Sequence, residues 1–186
     1  NLLVSLSSIL ANGQLAKYGD MYVAGYGVTS KVMMIITLIG IGIGSGVQPV
    51  FGFFYGARQR ERLQSGIRFA ALFGLAVCLL VSALGFLCTG AVIRVFLTNP
   101  EAYEAGIHFT RILLSTSWLI GAFAIFQNTL QAMGAAVPAL LASVFRQGVI
   151  FIPAVFILKA VIGVDGLIWA QPVADVLSLV IVIFML

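Results

Sequence analysis

Charge is what this sequence has least of. Ten Lys and Arg and six Asp and Glu make up 9% of its 186 residues, against about 25% in ordinary soluble domains. So few charges cannot clothe a water-facing surface, which excludes a soluble globular domain, a disordered chain and a nucleic-acid binder. Histidine occurs once, as His108, and cysteine twice, as Cys78 and Cys88. No metal-ligand spacing exists. Ten helical residues would hold the two thiols about 15 Å apart, beyond the roughly 7 Å that a disulfide tolerates. One histidine and no paired carboxylates inside the apolar runs leave no constellation for hydrolytic chemistry in a bilayer, so the sequence does not read as an enzyme.

Long apolar runs are what it has instead. Hydrophobic residues make up 61% of the chain, in continuous stretches far longer than the alternating strands of about 10 residues found in membrane β-barrels. Six segments stand out, at about 1–16, 22–55, 66–88, 109–133, 137–160 and 166–186. A helix needs about 20 apolar residues to cross a bilayer. The chain therefore reads as an all-α polytopic membrane protein, one six-helix unit over 1–186. It starts at Asn1 inside an apolar segment, so it reads as a piece of a longer protein. The second segment is too long for a simple crossing. Ala91–Leu97 reads as a short amphipathic stretch at the interface. Asn99-Pro100-Glu101 reads as an N-cap, a first-turn proline and an acidic first turn, so the fourth helix is expected to start there. Arg58, Arg60, Arg62 and Arg68 cluster between the second and third segments and place that end in the cytoplasm.

Gly40, Gly42, Gly44 and Gly46 form two overlapping small-xxx-small pairs, followed by Pro49. Close helix packing and a bending point both fit this pattern. Gln48-Pro49, the run Gly52-Phe53-Phe54-Tyr55-Gly56-Ala57 and the arginines after it resemble the end of the second helix in each lobe of the MATE (multidrug and toxic compound extrusion) transporters. Asn12-Gly13-Gln14 with Tyr18-Gly19-Asp20 is similar to the first helix ending and its turn. Gln127-Asn128 with Gln131-Ala132-Met133-Gly134 is similar to the fourth helix ending, and Gly166 through Trp169, Pro172 and Asp175 to the start of the last helix. Phe54 departs from the polar Asn of many relatives.

The resemblance covers nearly the whole chain and is nearest to the C-terminal lobe. It implies one half of a twelve-helix exporter in the plasma membrane. Such an exporter moves amphipathic, often cationic compounds by alternating access, driven by inward Na⁺ or H⁺. The implied partners are membrane lipid, a small-molecule substrate and the N-terminal lobe of the same polypeptide, with no cofactor beyond the coupling ion. A lipid-linked oligosaccharide flippase of related fold and a non-transporting structural subunit are the competing readings. The flippase would need a strongly cationic cavity, to which only Lys31 and Arg146 could contribute.

Polar groups at membrane depth are the candidate site residues. Ser5, Ser8 and Asn12 share one helical face, as do Gln127 and Gln131. Gln171, Asp175 and Ser178 share another, and Asp175 is the ion- or proton-site candidate. Together with Gln48, the residues Asn12, Gln127, Gln131 and Asp175 are expected to touch substrate or ion. Gly40, Gly44, Pro49, Lys31 and Arg146 are expected to act structurally or in gating. Lys31 is expected to snorkel at the outer interface. Counting from a turn near Gly163 puts Arg146 and Asp175 within about 7.5 Å in height on neighbouring antiparallel helices, so they are expected to interact. His108, four residues after Glu104, reads as an exposed rim residue.

Overall fold

The computed structural model describes the backbone of residues 2–185 and the side chains of residues 5–184. Asn1 and Leu186, the ends of the first and last expected segments, lie outside the described residues. All regular structure among the described residues is helical: α1 (Leu2–Leu15), α2 (Asp20–Gly56), α3 (Arg60–Phe96), α4 (Pro100–Ser117), α5 (Leu119–Ala132), α6 (Ala136–Val144), α7 (Phe151–Ile162) and α8 (Val164–Met185). A π-helical segment, Phe145–Ile150, joins α6 to α7. Among the described residues, four helices are long and apolar enough to cross a membrane: α2, α3, the continuous Ala136–Ile162 helix and α8. The pair α4 and α5 makes a fifth crossing, bent by 47°. With α1, these are the six expected segments.

The boundaries differ in instructive ways. Both α2 and α3 have 37 residues, about 55 Å at 1.5 Å per residue, so both overrun a hydrocarbon core of about 30 Å. Ala91–Phe96 is the last part of α3 rather than a separate interfacial stretch, the helix running on through Gly90. The arginine loop shrinks to residues 57–59. Arg60, Arg62 and Arg68 are helical, and Arg58 turns the chain with φ 56°. Asn99 caps α4 as expected, its Oδ1 accepting from Glu101 N at 3.0 Å. The glycine-marked turns also hold: Gly19, Gly134 and Gly163 all have positive φ, a region open to glycine without a Cβ penalty.

The break between α4 and α5 has a local cause. Ser115-Thr116-Ser117 puts three hydroxyls in succession where a helix would prefer apolar side chains. Ser115 Oγ donates to the Ile112 carbonyl and Ser117 Oγ to that of Leu114. Trp118 Nε1 donates to the Ser115 carbonyl. Such back-bonding competes with the backbone ladder and bends helices.

Packing follows two modes. On one side, α3 and α5 approach so closely that a Cβ on Gly121 would strike the Gly74 carbonyl. Alongside, α2 lies against α5 through Gly40 and Gly44; a Cβ on Gly44 would come within 2.6 Å of Asn128 Nδ2. Small residues permit this in a bilayer, where lipid is as apolar as leucine and only close contact favours association. On the other side, Ala11, Leu15, Phe109, Phe151, Val155 and Ile168 form a core between α1, α4, α7 and α8. Large apolar side chains such as Leu72, Leu87, Val161 and Phe184 point outward, as a lipid-facing surface requires. The chain is an all-α membrane protein.

Candidate functional site

A cleft of about 480 Å³ opens where α2, α5, α8 and the π segment meet. Apolar lining comes from Met33, Met34, Leu38 and Ile41 on α2, with Ile120 and Phe123 on α5, and α2 also brings Tyr26, Ser30 and Thr37 to the cleft. Further polar lining comes from Gln127 on α5, Ser143 on α6, Arg146 and Gln147 on the π segment, and Gln171 and Asp175 on α8. A larger notch of about 770 Å³ surrounds the α2–α3 connection, with Arg58 and Arg60 on its rim. It holds no buried charge, so the smaller cleft is the candidate site.

Asp175 anchors the polar lining. Its side chain is 4% exposed, and its Oδ1 accepts from Arg146 Nε at 2.8 Å and from Gln171 Nε2 at 3.0 Å. The Arg146 guanidinium lies over the Phe123 ring, 4.7 Å from its centroid, where the ring quadrupole favours a cation. The expected contact between Arg146 and Asp175 is therefore present. A π turn carries Arg146, and its origin is readable locally. Pro153, in the first turn of α7, has no N–H to offer the carbonyl four residues back, and its ring crowds that carbonyl. The ladder responds by widening. Ser7 Oγ then donates to the Gln147 carbonyl at 2.7 Å, tying α1 to the irregular segment.

The other expected residues divide. Gln127 reaches the cleft and donates to Ser143 Oγ. Gln131, four residues on, is exposed and lies outside it, since four residues advance about 6 Å along the helix and carry it past the end of the cleft. Ser5, Ser8 and Asn12 share an exposed face of α1, away from the cleft, and Asn12 Nδ2 donates to the Ser8 carbonyl one turn back in its own helix. Gln48 is half-buried but not on the cleft wall. Lys31 is exposed and also off the wall, which leaves Arg146 as the sole cation in the cleft and weakens the flippase reading. Gly40 and Gly44 pack against α5, whereas Gly42 and Gly46 meet open space. The helix α2 runs unbroken through Pro49. His108 faces Asp165 across helices, with Nε2 and Oδ1 3.0 Å apart, rather than its own-helix neighbour Glu104. Sequence reasoning missed Ser7, Ser143 and Gln147. Alternation of Ser7 with Ser5 and Ser8 hid which face turns inward.

The family model described as MatE matches residues 1–157. The chain belongs to the MatE family. Among curated MatE-like relatives, the "Multidrug export protein MepA" of Staphylococcus haemolyticus strain JCSC1435 is 24% identical over 184 residues, which is 98% of this chain and 40% of that protein. The protein of the same name from Staphylococcus aureus strain MSSA476 is 26% identical over 176 residues, 94% of this chain and 38% of that one. The fold agrees with the bent form of the Vibrio cholerae MATE transporter VcmN at a TM-score of 0.90 and 20% identity, covering 98% of this chain and 42% of that one. This MatE chain thus spans about 40% of the length of the curated relatives it matches.

Proposed function

We propose that the chain is one lobe, the C-terminal one, of a secondary exporter of amphipathic small molecules in the plasma membrane. The observation that carries this reading is the mixed lining of the cleft: methionine, isoleucine and phenylalanine side chains lie among polar groups that include Asp175, the sole buried carboxylate among the described residues. Substrate sites in secondary transporters lie near the midplane between two repeats, and this cleft supplies one such wall. The relatives named for multidrug export support the same reading. The remainder of the parent protein closes the cleft, and alternating access follows from one lobe moving against the other. Coupling runs through inward Na⁺ or H⁺, with Asp175 as the group whose charge the ion would neutralise. The arginine-bearing end of α2 and α3 faces the cytoplasm.

The test is gradient-driven movement of amphipathic dyes by the full-length parent in liposomes. An imposed inward Na⁺ or H⁺ gradient is expected to accelerate dye export, and Asp175→Asn to abolish that acceleration. No response of any dye to either gradient would sink the exporter reading. Impermeant thiol labelling of Gln59→Cys, in a background lacking Cys78 and Cys88, checks orientation. Modification from the outside of intact cells would invert it.

A further inference from the structure

Of the sixteen residues lining the cleft, only Arg146 and Asp175 are charged, and they do not face it equally. Asp175 is 4% exposed and Arg146 15%. Asp175 gives Oδ1 to two donors and has only its Oδ2 left over. Arg146 meets it through Nε alone. Its two terminal nitrogens make no hydrogen bond to a described residue, and the side chain lines the cleft. The Phe123 ring lies under the guanidinium, 4.7 Å from its carbon to the ring centroid. The result is a donor edge that lines the cleft together with Gln147 and the apolar side chains of Met33 and Ile120. A guanidinium edge with two terminal nitrogens matches a carboxylate in a fork geometry that an ammonium cannot reproduce.

We propose that the cleft selects amphipathic anions, with Arg146 binding the carboxylate of the ligand and the α2–α5 wall taking its apolar body. Asp175 positions Arg146 rather than binding an organic cation. This assignment rests on the exporter reading and narrows it, against the cationic preference that the family resemblance implies. Lys31 adds nothing to the site, being exposed and off the wall.

Two xanthene dyes of similar shape and opposite charge test it: fluorescein, which carries a carboxylate, and rhodamine 6G, which is an esterified cation. Binding to the full-length parent in nanodiscs is read by fluorescence anisotropy at mildly alkaline pH. The parent is expected to hold fluorescein about tenfold more tightly than rhodamine 6G, about 1.4 kcal/mol. The readout is the ratio of the two affinities, because a merely misfolded variant weakens both. In the charge-neutral double variant Arg146→Gln/Asp175→Asn the ratio should fall to about one. Arg146→Lys, which keeps the charge but loses the fork, should retain only part of the preference. A preference for rhodamine 6G would make Asp175 the recognising group and overturn the proposal. So would a fluorescein preference that survives the double variant, since the anion would then sit elsewhere. Equal binding of both dyes by the parent would mean that a carboxylate from the rest of the protein already occupies Arg146, and the ligand assignment would fall. In these three cases, dye movement under the ion gradient leaves the exporter reading standing. Binding of neither dye, together with no gradient-driven movement, would end both.

Discussion

Where α3 crosses α5, the helices meet backbone to backbone at Gly74 and Gly121. Where α8 meets the π segment, they meet through Arg146, Asp175 and Gln171. The first seam is closed by backbone contact, with Ile125 and Cys78 packed beside it. The second borders a cleft and is held by long side chains with freedom to rearrange. A bilayer supplies no hydrophobic drive between helices, so each seam needs another source of cohesion: close van der Waals contact in one, hydrogen-bonded charge in the other. The difference divides the labour, with a rigid seam as scaffold and a polar seam as working surface.

The largest effect should come from the rigid seam. Gly121→Val would drive a branched side chain into the Gly74 carbonyl and within about 3 Å of Cys78 Sγ. Overpacking usually costs about 1–3 kcal/mol and sometimes more, and here the obstacle is backbone, which cannot swing aside. The expected outcome is loss of monodisperse full-length protein on size exclusion. Recovery of the variant at parental yield and melting temperature would show that the seam opens freely, and the contrast between the two seams would vanish.

At the polar seam, removing one partner should cost about 3 kcal/mol, because it strands the other charge. Arg146→Gln alone is expected to unfold at lower denaturant in mixed micelles. Adding Asp175→Asn should restore at least half of the loss, since no charge is then left unpaired. A double variant less stable than the single one would mean that the pair is held for its net attraction. A smaller effect is expected next door. Ser7→Ala removes the donor to the Gln147 carbonyl and should cost about 1 kcal/mol, while Ser5→Ala, on the exposed face of α1, should change nothing measurable. Equal effects from the two would mean that α1 sits rotated from the position described.

These residues also show how far the sequence could be read. The crossings were legible because apolar length alone decides them, and the α4 cap because Asn99-Pro100-Glu101 is a local signal. The meeting of Arg146 and Asp175 was legible by counting outward from Gly163, since a short turn forces antiparallel neighbours. What failed depends on rotation rather than height. Periodicity put Asn12 with Ser5 and Ser8 correctly on one face, but nothing local said that this face turns outward and Ser7 inward. Gln127 and Gln131 share a face, yet only one lies at the depth of the cleft. The π segment and the bend at Ser115–Ser117 arise from backbone competition, whose outcome a hydropathy pattern does not encode. His108 chose Asp165 over Glu104 because the α4–α8 contact, a tertiary fact, placed it there.

The smallest effect concerns the two overlapping glycine pairs of α2, which the sequence presents as equivalent. In this lobe they are not. A Cβ on Gly40 would meet Ile120 Cγ2 at 3.2 Å and one on Gly44 would press on Asn128, whereas Gly42 and Gly46 have no neighbour within 4 Å. Gly42 instead lines a shallow apolar groove with Phe69 and Phe73 of α3. Alanine is the better helix former by about 0.8–1 kcal/mol. With no opposing contact, Gly42→Ala in the full-length parent should leave stability unchanged or raise it by about half of that amount. Gly44→Ala should lower stability, because Asn128 must give way and the Ala124 carbonyl behind it cannot. Thermal unfolding of the two variants side by side in one detergent reads the difference. If Gly42→Ala destabilises the full-length protein as much as Gly44→Ala does, the second pair is in use after all, against a surface that this lobe does not contain. The rest of the parent would then pack on the α2–α3 groove, and α2 would be a rigid seam on both of its faces.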